Sequence, residues 1–378
     1  MQRKKDLFRT QTNVPHIMAF KQPPRSFKPE EASPKQLWDY GYPMKPDPKR
    51  SPHEYEVWRR IVSTECKRIV PRLKTVDIRH GSQRIKFKRS KIRPCTAVNV
   101  TNPIWSGVLI DDPQNKPWGS NAAGGVITAA WNMPAVQIQG VLIGHTPCAV
   151  SMWVGFDGYN IDEVLQCGSD AIINPDGSTT YQLWIEWYPD LTHVVSTDVS
   201  PGDSISATVA IGPGRRECTV HNYTKKTSFC LDYGHPPSTV PNDLVGTCAE
   251  WIVEAPQING QQSILAPFHT MSMFSTNCWG FSGNPSTFQH YSPSEAPTGT
   301  IYDITLSPTI GAVHTGCVPS VYLDEGGLPN IIFTEVWNTQ LHQKSKIATS
   351  LVKSRKVGIQ RTRRLNSMLA GGTSAGNP

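Results

Sequence analysis

No run of roughly eighteen apolar residues occurs anywhere in the chain, so no helix long enough to cross a membrane is expected. The start of the chain also lacks an apolar core. Met1–Lys5 is basic and the residues after it are polar and proline-rich, so no ordinary secretory signal is visible and the compartment stays open. No Cys-x-x-Cys spacing connects the nine cysteines, and the histidines are scattered without ligand spacing. Neither a zinc site nor any other metal or cofactor is therefore expected. The odd cysteine count leaves at least one free thiol, and the number permits disulfides without demanding them. Also missing are a Gly-x-Ser-x-Gly elbow, a His-Glu-x-x-His helix, and the Asp-Thr-Gly or Asp-Ser-Gly pair of pepsin-type enzymes.

Helix-period patterning is scarce in the middle of the chain. Glycine (29) and proline (32) are abundant, and with Asn, Asp and Ser they interrupt it every few residues. That texture belongs to an all-β body with many turns. The net charge of +7 conceals a division. Residues 1–100 carry 24 Lys and Arg against 9 Asp and Glu, residues 101–334 carry 5 against 20, and residues 335–378 carry 8 against 1. An acidic body thus lies between two basic ends. Basic ends suit a polyanion, an anionic surface or an acidic partner, and the nearest acidic partner is the chain's own middle.

The organisation follows from these shifts. Residues 1–100 read as a basic, partly disordered arm with one short helix. The helix starts at Ser51-Pro52 with Glu54 completing a capping box, carries Tyr55, Trp58, Ile61 and Val62 at helical spacing, and is bounded by Pro71. Residues 75–100 alternate charged and apolar groups, as an edge strand would. Residues 101–338 form the β body. Its strand candidates are 106–110, 125–131, 149–155, 180–188, 204–211, 217–223, 250–253, 263–268 and 331–337, with turns at Asn174-Pro-Asp-Gly177 and Gly212-Pro-Gly-Arg215. Residues 339–378 are a basic tail, in which Ile347–Arg364 reads either as a short amphipathic helix or as disorder. The body suits a two-sheet antiparallel β-sandwich with basic extensions at both ends.

Ordered blocks within the body carry more. Residues 153–158 read Trp-Val-Gly-Phe-Asp-Gly, 164–168 Val-Leu-Gln-Cys-Gly, 184–189 Trp-Ile-Glu-Trp-Tyr-Pro, 202–204 Gly-Asp-Ser, 249–254 Ala-Glu-Trp-Ile-Val-Glu and 265–268 Leu-Ala-Pro-Phe. In content and order they closely resemble the glutamic peptidase (eqolisin) family, from about Trp105 to Trp337. The resemblance implies a concanavalin-like jelly-roll sandwich and an acid-acting endopeptidase that hydrolyses polypeptides without a covalent intermediate or cofactor. It implies Gln166 and Glu250 as the catalytic pair, Trp153 and Trp184 as cleft aromatics, and Asp157 and Glu186 as carboxylates supporting the pair. It suggests export, although no signal is visible, and a pro-segment role for the arm, which would lie on the acidic body and block the cleft at neutral pH. Gln182, Cys167 and the loop Tyr159–Asp162 depart from the family pattern in the cleft.

The pair is chemically coherent. A carboxylate can take a proton from water and later return it to a leaving amine, and a glutamine amide can donate to the developing oxyanion. Glutamate titrates ordinarily at about 4.3, so such a machine works in acid, where a serine–histidine machine fails. A single Gln or Glu on a strand is ordinarily structural, as are sheet tryptophans, and Asp157 and Glu186 read equally well as turn or surface carboxylates. Two other functions fit the composition: a catalytically inactive β-sandwich binding protein, or a structural protein whose basic arms bind polyanions. Nucleic acid is the weaker partner class, because the arms match no nucleic-acid-binding module. Asn222-Tyr-Thr224 is a glycosylation sequon by pattern alone.

Overall fold

Strand-forming sequences dominate the body because apolar side chains recur at every second position. In Thr179–Tyr188 the inward set is Leu183, Ile185 and Trp187, and in Cys148–Asp157 it is Val150, Met152, Val154 and Phe156. A period of two puts one such set on one face of a strand. The computed structural model describes residues 6–63, 65–81, 97–118, 124–136, 147–159, 161–281, 288–296, 299–306, 315–324 and 328–337. The basic stretch 82–96, Cys95 and the tail from 338 onward, including Ile347–Arg364, lie outside the described residues. The chain divides into two units, Met1–Glu335 and Val336–Pro378, and the architecture below belongs to the first.

Two antiparallel ladders form the sandwich. The first runs Leu73–Val76, Thr192–Val195, Thr179–Tyr188, Val164–Ile173, Cys148–Asp157, Cys248–Glu254, Trp105–Asp111, Thr300–Leu306. Val98–Asn102 adds to its far edge in parallel. The second runs Pro329–Trp337, Thr270–Phe281, Gly124–Asn132, Ser204–Gly212, Arg215–Asn222, Thr227–Tyr233, Ile17–Phe20, Arg9–Gln11. The main apolar core lies between them and draws on both. Two indole donors cross it: Trp131 Nε1 donates to Ser169 Oγ at 2.9 Å and Trp251 Nε1 to the Thr128 carbonyl at 3.0 Å. A buried indole N–H needs such a partner. The fold is the all-β sandwich that the body's patterning predicts.

Most expected strands form within one or two residues of their expected limits. The exception is 263–268, where only Ile264–Leu265 pairs before Pro267. Strands not expected include Val164–Ile173, Thr227–Tyr233, Thr270–Phe281 and Thr300–Leu306. Asn174–Gly177 turns between its two strands as expected, with Gly177 N–H donating to the Asn174 carbonyl at 2.9 Å. Gly214 takes a φ of +67° in the second expected turn, a conformation that glycine adopts without penalty. All eight described cysteines are free thiols. Asn222 is buried and its Nδ2 donates to Asp203 Oδ2 at 2.9 Å, so the sequon is not presented for glycosylation.

The N-terminal arm differs from the expectation of a largely irregular segment. Ile17–Phe20 joins the second sheet against Thr227–Tyr233 because Ile17, Ala19 and Phe20 are buried there. Pro34–Asp39 forms a helix not expected, capped by Ser33 and Gln36 in a reciprocal capping box. The expected helix forms as Pro52–Ser63, ending well before Pro71. Its Val57, Trp58, Ile61 and Val62 pack on Val126, Ala210 and Trp279, the outer side of the second sheet.

Trp251→Ala should cost about 3–5 kcal/mol of stability, the usual range for emptying a large aromatic site. Chemical denaturation of the full chain checks this. A loss under about 1 kcal/mol would mean that the two sheets are not held at this point.

Candidate active site

The same period of two that sends Leu165, Cys167 and Ala171 into the core sends Gln166, Gly168 and Asp170 to the opposite face of the first sheet. The neighbouring strands obey the same rule. Their outward sets are Ser151, Trp153, Gly155 and Asp157; Gln182, Trp184 and Glu186; and Cys248, Glu250, Ile252 and Glu254. The register then arranges them. Gly155 stands opposite Gln166 on one side and opposite Glu250 on the other. Three adjacent strands therefore read Gln, Gly, Glu in one row, with the outer two backbones about 10 Å apart at ordinary strand spacing. A Cβ on residue 155 would stand 3.0 Å from the Leu165 carbonyl oxygen and 3.1 Å from Gln166 Cβ, so a side chain there would crowd the gap between the two side chains.

This face is closed by the chain itself. The arm strand Leu73–Val76 pairs with Thr192–Val195, and the chain continues so that His80 and Gly81 lie over the row. Gln166 Nε2 donates to the His80 carbonyl at 3.0 Å and to Glu186 Oε2 at 3.3 Å. Glu186 Oε2 also accepts from the His80 backbone N–H at 3.1 Å and lies 2.7 Å from His80 Nδ1. The other ring nitrogen, Nε2, lies 3.0 Å from Asp170 Oδ1. The ring stacks on Trp184 at 3.7 Å between centroids, and Trp184 Nε1 donates to Asp170 Oδ1 at 2.7 Å. Gly81 N–H donates to Glu254, whose Oε2 also accepts from Trp153 Nε1 at 2.9 Å.

Every one of these carboxyls is buried, and burial raises Glu186, Glu250 and Glu254. Glu250 is pushed well above the ordinary carboxylate range by desolvation, against a weak contact from the Cys248 thiol 3.6 Å from Oε1; Asp157, Glu254 and Asp111 reinforce the upward push. Glu254 rises to about 7 for the same first reason. Glu186 is raised by burial against its bonds to His80. His80 shows the reverse outcome: burial alone would lower it, but the Asp170 and Glu186 carboxylates override that and lift it to about 10. An imidazolium between two carboxylates is the arrangement that makes a charged group tolerable away from water.

The six residues singled out from the sequence share this face but not one role. Gln166, Glu186 and Trp184 meet around His80, and Trp153 is held on Glu254. Glu250 lies across Gly155, with a carboxylate oxygen about 3.5 Å from where a Cβ on Gly158 would be. Asp157 serves the backbone. It accepts from the N–H groups of Val245, Gly246 and Thr247 at 2.7, 2.8 and 2.7 Å, which fixes the loop entering the Glu250 strand. Sequence reasoning missed His80, Asp170 and Glu254. Asp170 and Glu254 each lie four positions beyond a chosen residue on the same strand face, a signal the sequence did contain. His80 lies 106 residues from Glu186 and had no local signal.

Comparison with known proteins follows the same blocks. Residues 103–319 match the model of the Peptidase A4 family. Aspergillopepsin-2 of Aspergillus niger is 36% identical over 160 residues, 42% of this chain and 52% of that protein. Scytalidopepsin B of Scytalidium lignicola is 30% identical over 152 residues, 39% of this chain and 54% of that protein. The chain spans about half the length of the curated relatives it matches. Among solved structures, a bacteriophage CBA120 tailspike protein 2 domain aligns with a TM-score of 0.25 at 14% identity, covering 53% of this chain and 31% of that chain, which carries no argument.

The His80 geometry has a thermodynamic consequence. A histidine raised from its ordinary value to about 10 stabilises the fold fully below the ordinary value, and that contribution is lost as the pH rises through about 10. Urea midpoints followed from neutral to alkaline pH should fall for the wild type and stay flatter for His80→Gln. Parallel declines in the two proteins would mean that His80 is not the charged group on this face.

Proposed function

We propose that this chain, which belongs to the Peptidase A4 family, is an acid-acting endopeptidase that hydrolyses polypeptides with Glu250 as base and acid and Gln166 as oxyanion donor. The observation that carries the reading is the row Gln166, Gly155, Glu250, with a peptide carbonyl already seated on Gln166 Nε2 at 3.0 Å. A substrate carbonyl in the position of the His80 carbonyl would be polarised by that amide. Water on the Glu250 side would lose its proton to the carboxylate as it attacks. The proton would then pass to the leaving nitrogen as the tetrahedral intermediate collapses. Glutamine suits its part because it donates without adding a charge that acid would titrate.

In this reading the arm is an internal block. His80 and Gly81 occupy the row in the manner of a bound peptide, with the ring in a slot formed by Trp184, Asp170, Glu186 and Thr192. Glu250 is buried in this closed state, and desolvation is the first cause of its raised value. Withdrawal of the arm hydrates the carboxyl and returns it toward the range in which it can act as a base in acid. Falling pH favours withdrawal through Glu186, which burial holds above the ordinary carboxylate range: once it is protonated, the His80 imidazolium has lost a counter-charge.

Hydrolysis of a denatured protein from about pH 2 to pH 8 tests the reading, with pepstatin present because no pepsin-type motif occurs. The full chain should be active in acid and resistant to the inhibitor. Glu250→Gln should be inactive, and Gln166→Ala should lose about 10²–10³ in kcat, the usual cost of an oxyanion donor. Full activity in Glu250→Gln would sink the assignment. The block is tested separately: His80→Ala should hydrolyse faster than the wild type at pH 6, and equal rates would remove the arm from regulation.

A further inference from the structure

Outside the carboxylate face, a second group of titratable side chains converges where the arm crosses the body. His16 lies on the turn before Ile17–Phe20. Asp190 and His193 lie at the start of Thr192–Val195, beside the edge that the arm strand Leu73–Val76 occupies. One ligand atom from each of the three can be chosen so that all lie within 4.8 Å of one another. His16 Nε2 is 3.7 Å and His193 Nε2 is 3.6 Å from Asp190 Oδ2. Both separations are too long for a hydrogen bond. Both are close to the roughly 3.4 Å expected between two ligand atoms about 2.1 Å from a tetrahedral zinc ion. The two Nε2 atoms are buried and have no hydrogen-bond partner among the described residues.

The rings are also held in place. His193 Nδ1 lies 3.1 Å from Thr75 Oγ1, directly across the ladder. With the Nδ1 proton donated to that hydroxyl, the lone pair is on Nε2, facing Asp190. Histidine ligands of metals are ordinarily oriented by such a bond to the second ring nitrogen. His16 stacks on Tyr233 at 5.8 Å, and its main-chain carbonyl accepts from Gly234 N–H at 3.2 Å. Side-chain exposures of 21% for His16 and 14% for Asp190, against 4% for His193, place the group near the surface, where an ion reaches it after small side-chain motion. Linear spacing held no trace of the group, since its members stand at positions 16, 190 and 193.

We infer that His16, Asp190 and His193 form a binding site for a divalent transition ion of the zinc class, which clasps the N-terminal arm to the body. Two imidazoles and one carboxylate with an open position suit zinc, and they do not suit calcium or magnesium, which take oxygen ligands. The arm supplies one ligand and, through Thr75, the residue that positions another; the body supplies the remaining two. The site is independent of the catalytic reading, because none of its residues lies in the Gln166–Glu250 row.

The test uses the full chain, stripped with a chelator and titrated with zinc chloride by calorimetry and with cobalt(II) by visible absorption. One zinc per chain, a raised melting temperature, and the cobalt absorption of a low-symmetry site with nitrogen ligands are expected. His16→Ala and Asp190→Asn should abolish all three. Thr75→Val should keep the cobalt spectrum and weaken zinc binding by about ten-fold or more. His235→Ala, a neighbour whose ring is 6.4 Å from that of His16, should bind as the wild type does. Far-ultraviolet circular dichroism of each variant establishes that it is folded. The inference is overturned if zinc leaves the melting temperature unchanged, as it would if Asp190 only pairs with two imidazolium rings. It is equally overturned if a folded His16→Ala binds zinc like the wild type.

Discussion

A set of buried carboxyls on one sheet face is the constraint to which the rest of the molecule answers. Asp157, Asp170, Glu186, Glu250 and Glu254 are all shielded from water, and burying a charge without a partner costs more than the stability of a typical domain can absorb. Each is accommodated differently. Asp157 collects three backbone N–H groups. Asp170 and Glu186 share an imidazolium. Glu254 takes an indole and a main-chain N–H. Glu250 has the fewest donors among the described residues, and desolvation holds it well above the ordinary carboxylate range. A carboxyl so poorly compensated contributes nothing to folding that a leucine would not contribute better, which is why the proposed function places the base there.

The body of the fold was legible because most of its strands are bounded by Gly, Pro, Asn and Asp and show alternation in between. The strands that escaped notice are informative. Val164–Ile173 is buried on both faces, so its outward set includes Gln166 and Asp170 while its inward set includes Cys167 and Ser169. Polar residues on both faces erase the period that identifies a strand. Gln166 and Glu250 were legible through ordered blocks of sequence, not through spacing, since their alignment across Gly155 exists only once three strands are in register. The arm was misread for a simpler reason. Its Lys and Arg content is that of a solvated tail, and only a few of those charges pair within the arm, as in Lys35 with Asp39 and Arg59 with Glu56. The few apolar residues, Ile17, Phe20, Leu37 and Trp58, do the docking.

The arm is therefore less an appendage than a third layer. Its helix covers the outer side of the second sheet, its strand segments extend both sheets, and His80 and Gly81 cap part of the carboxylate face. Attraction between a basic arm and an acidic body is a diffuse effect that salt screens. The contacts present are specific instead: Arg9 on Asp232, Arg215 stacked on Trp38, and His80 between its two carboxylates. Ionic strength alone is thus a poor lever on this contact.

The strand Thr227–Tyr233 carries a consequence of its own. On its outer side it is tiled end to end by two separate stretches of the arm, Lys67–Arg68 along its start and Ile17–Ala19 along its finish. Stripped of both, this stretch would present a row of open main-chain donors and acceptors flanked by Phe229 and Leu231, the kind of margin on which chains stack into fibres. Any event that frees the carboxylate face by discarding the whole arm also bares that margin. Loosening the arm at His80 alone, with its first seventy residues in place, would bare the carboxylate face while this margin stays covered.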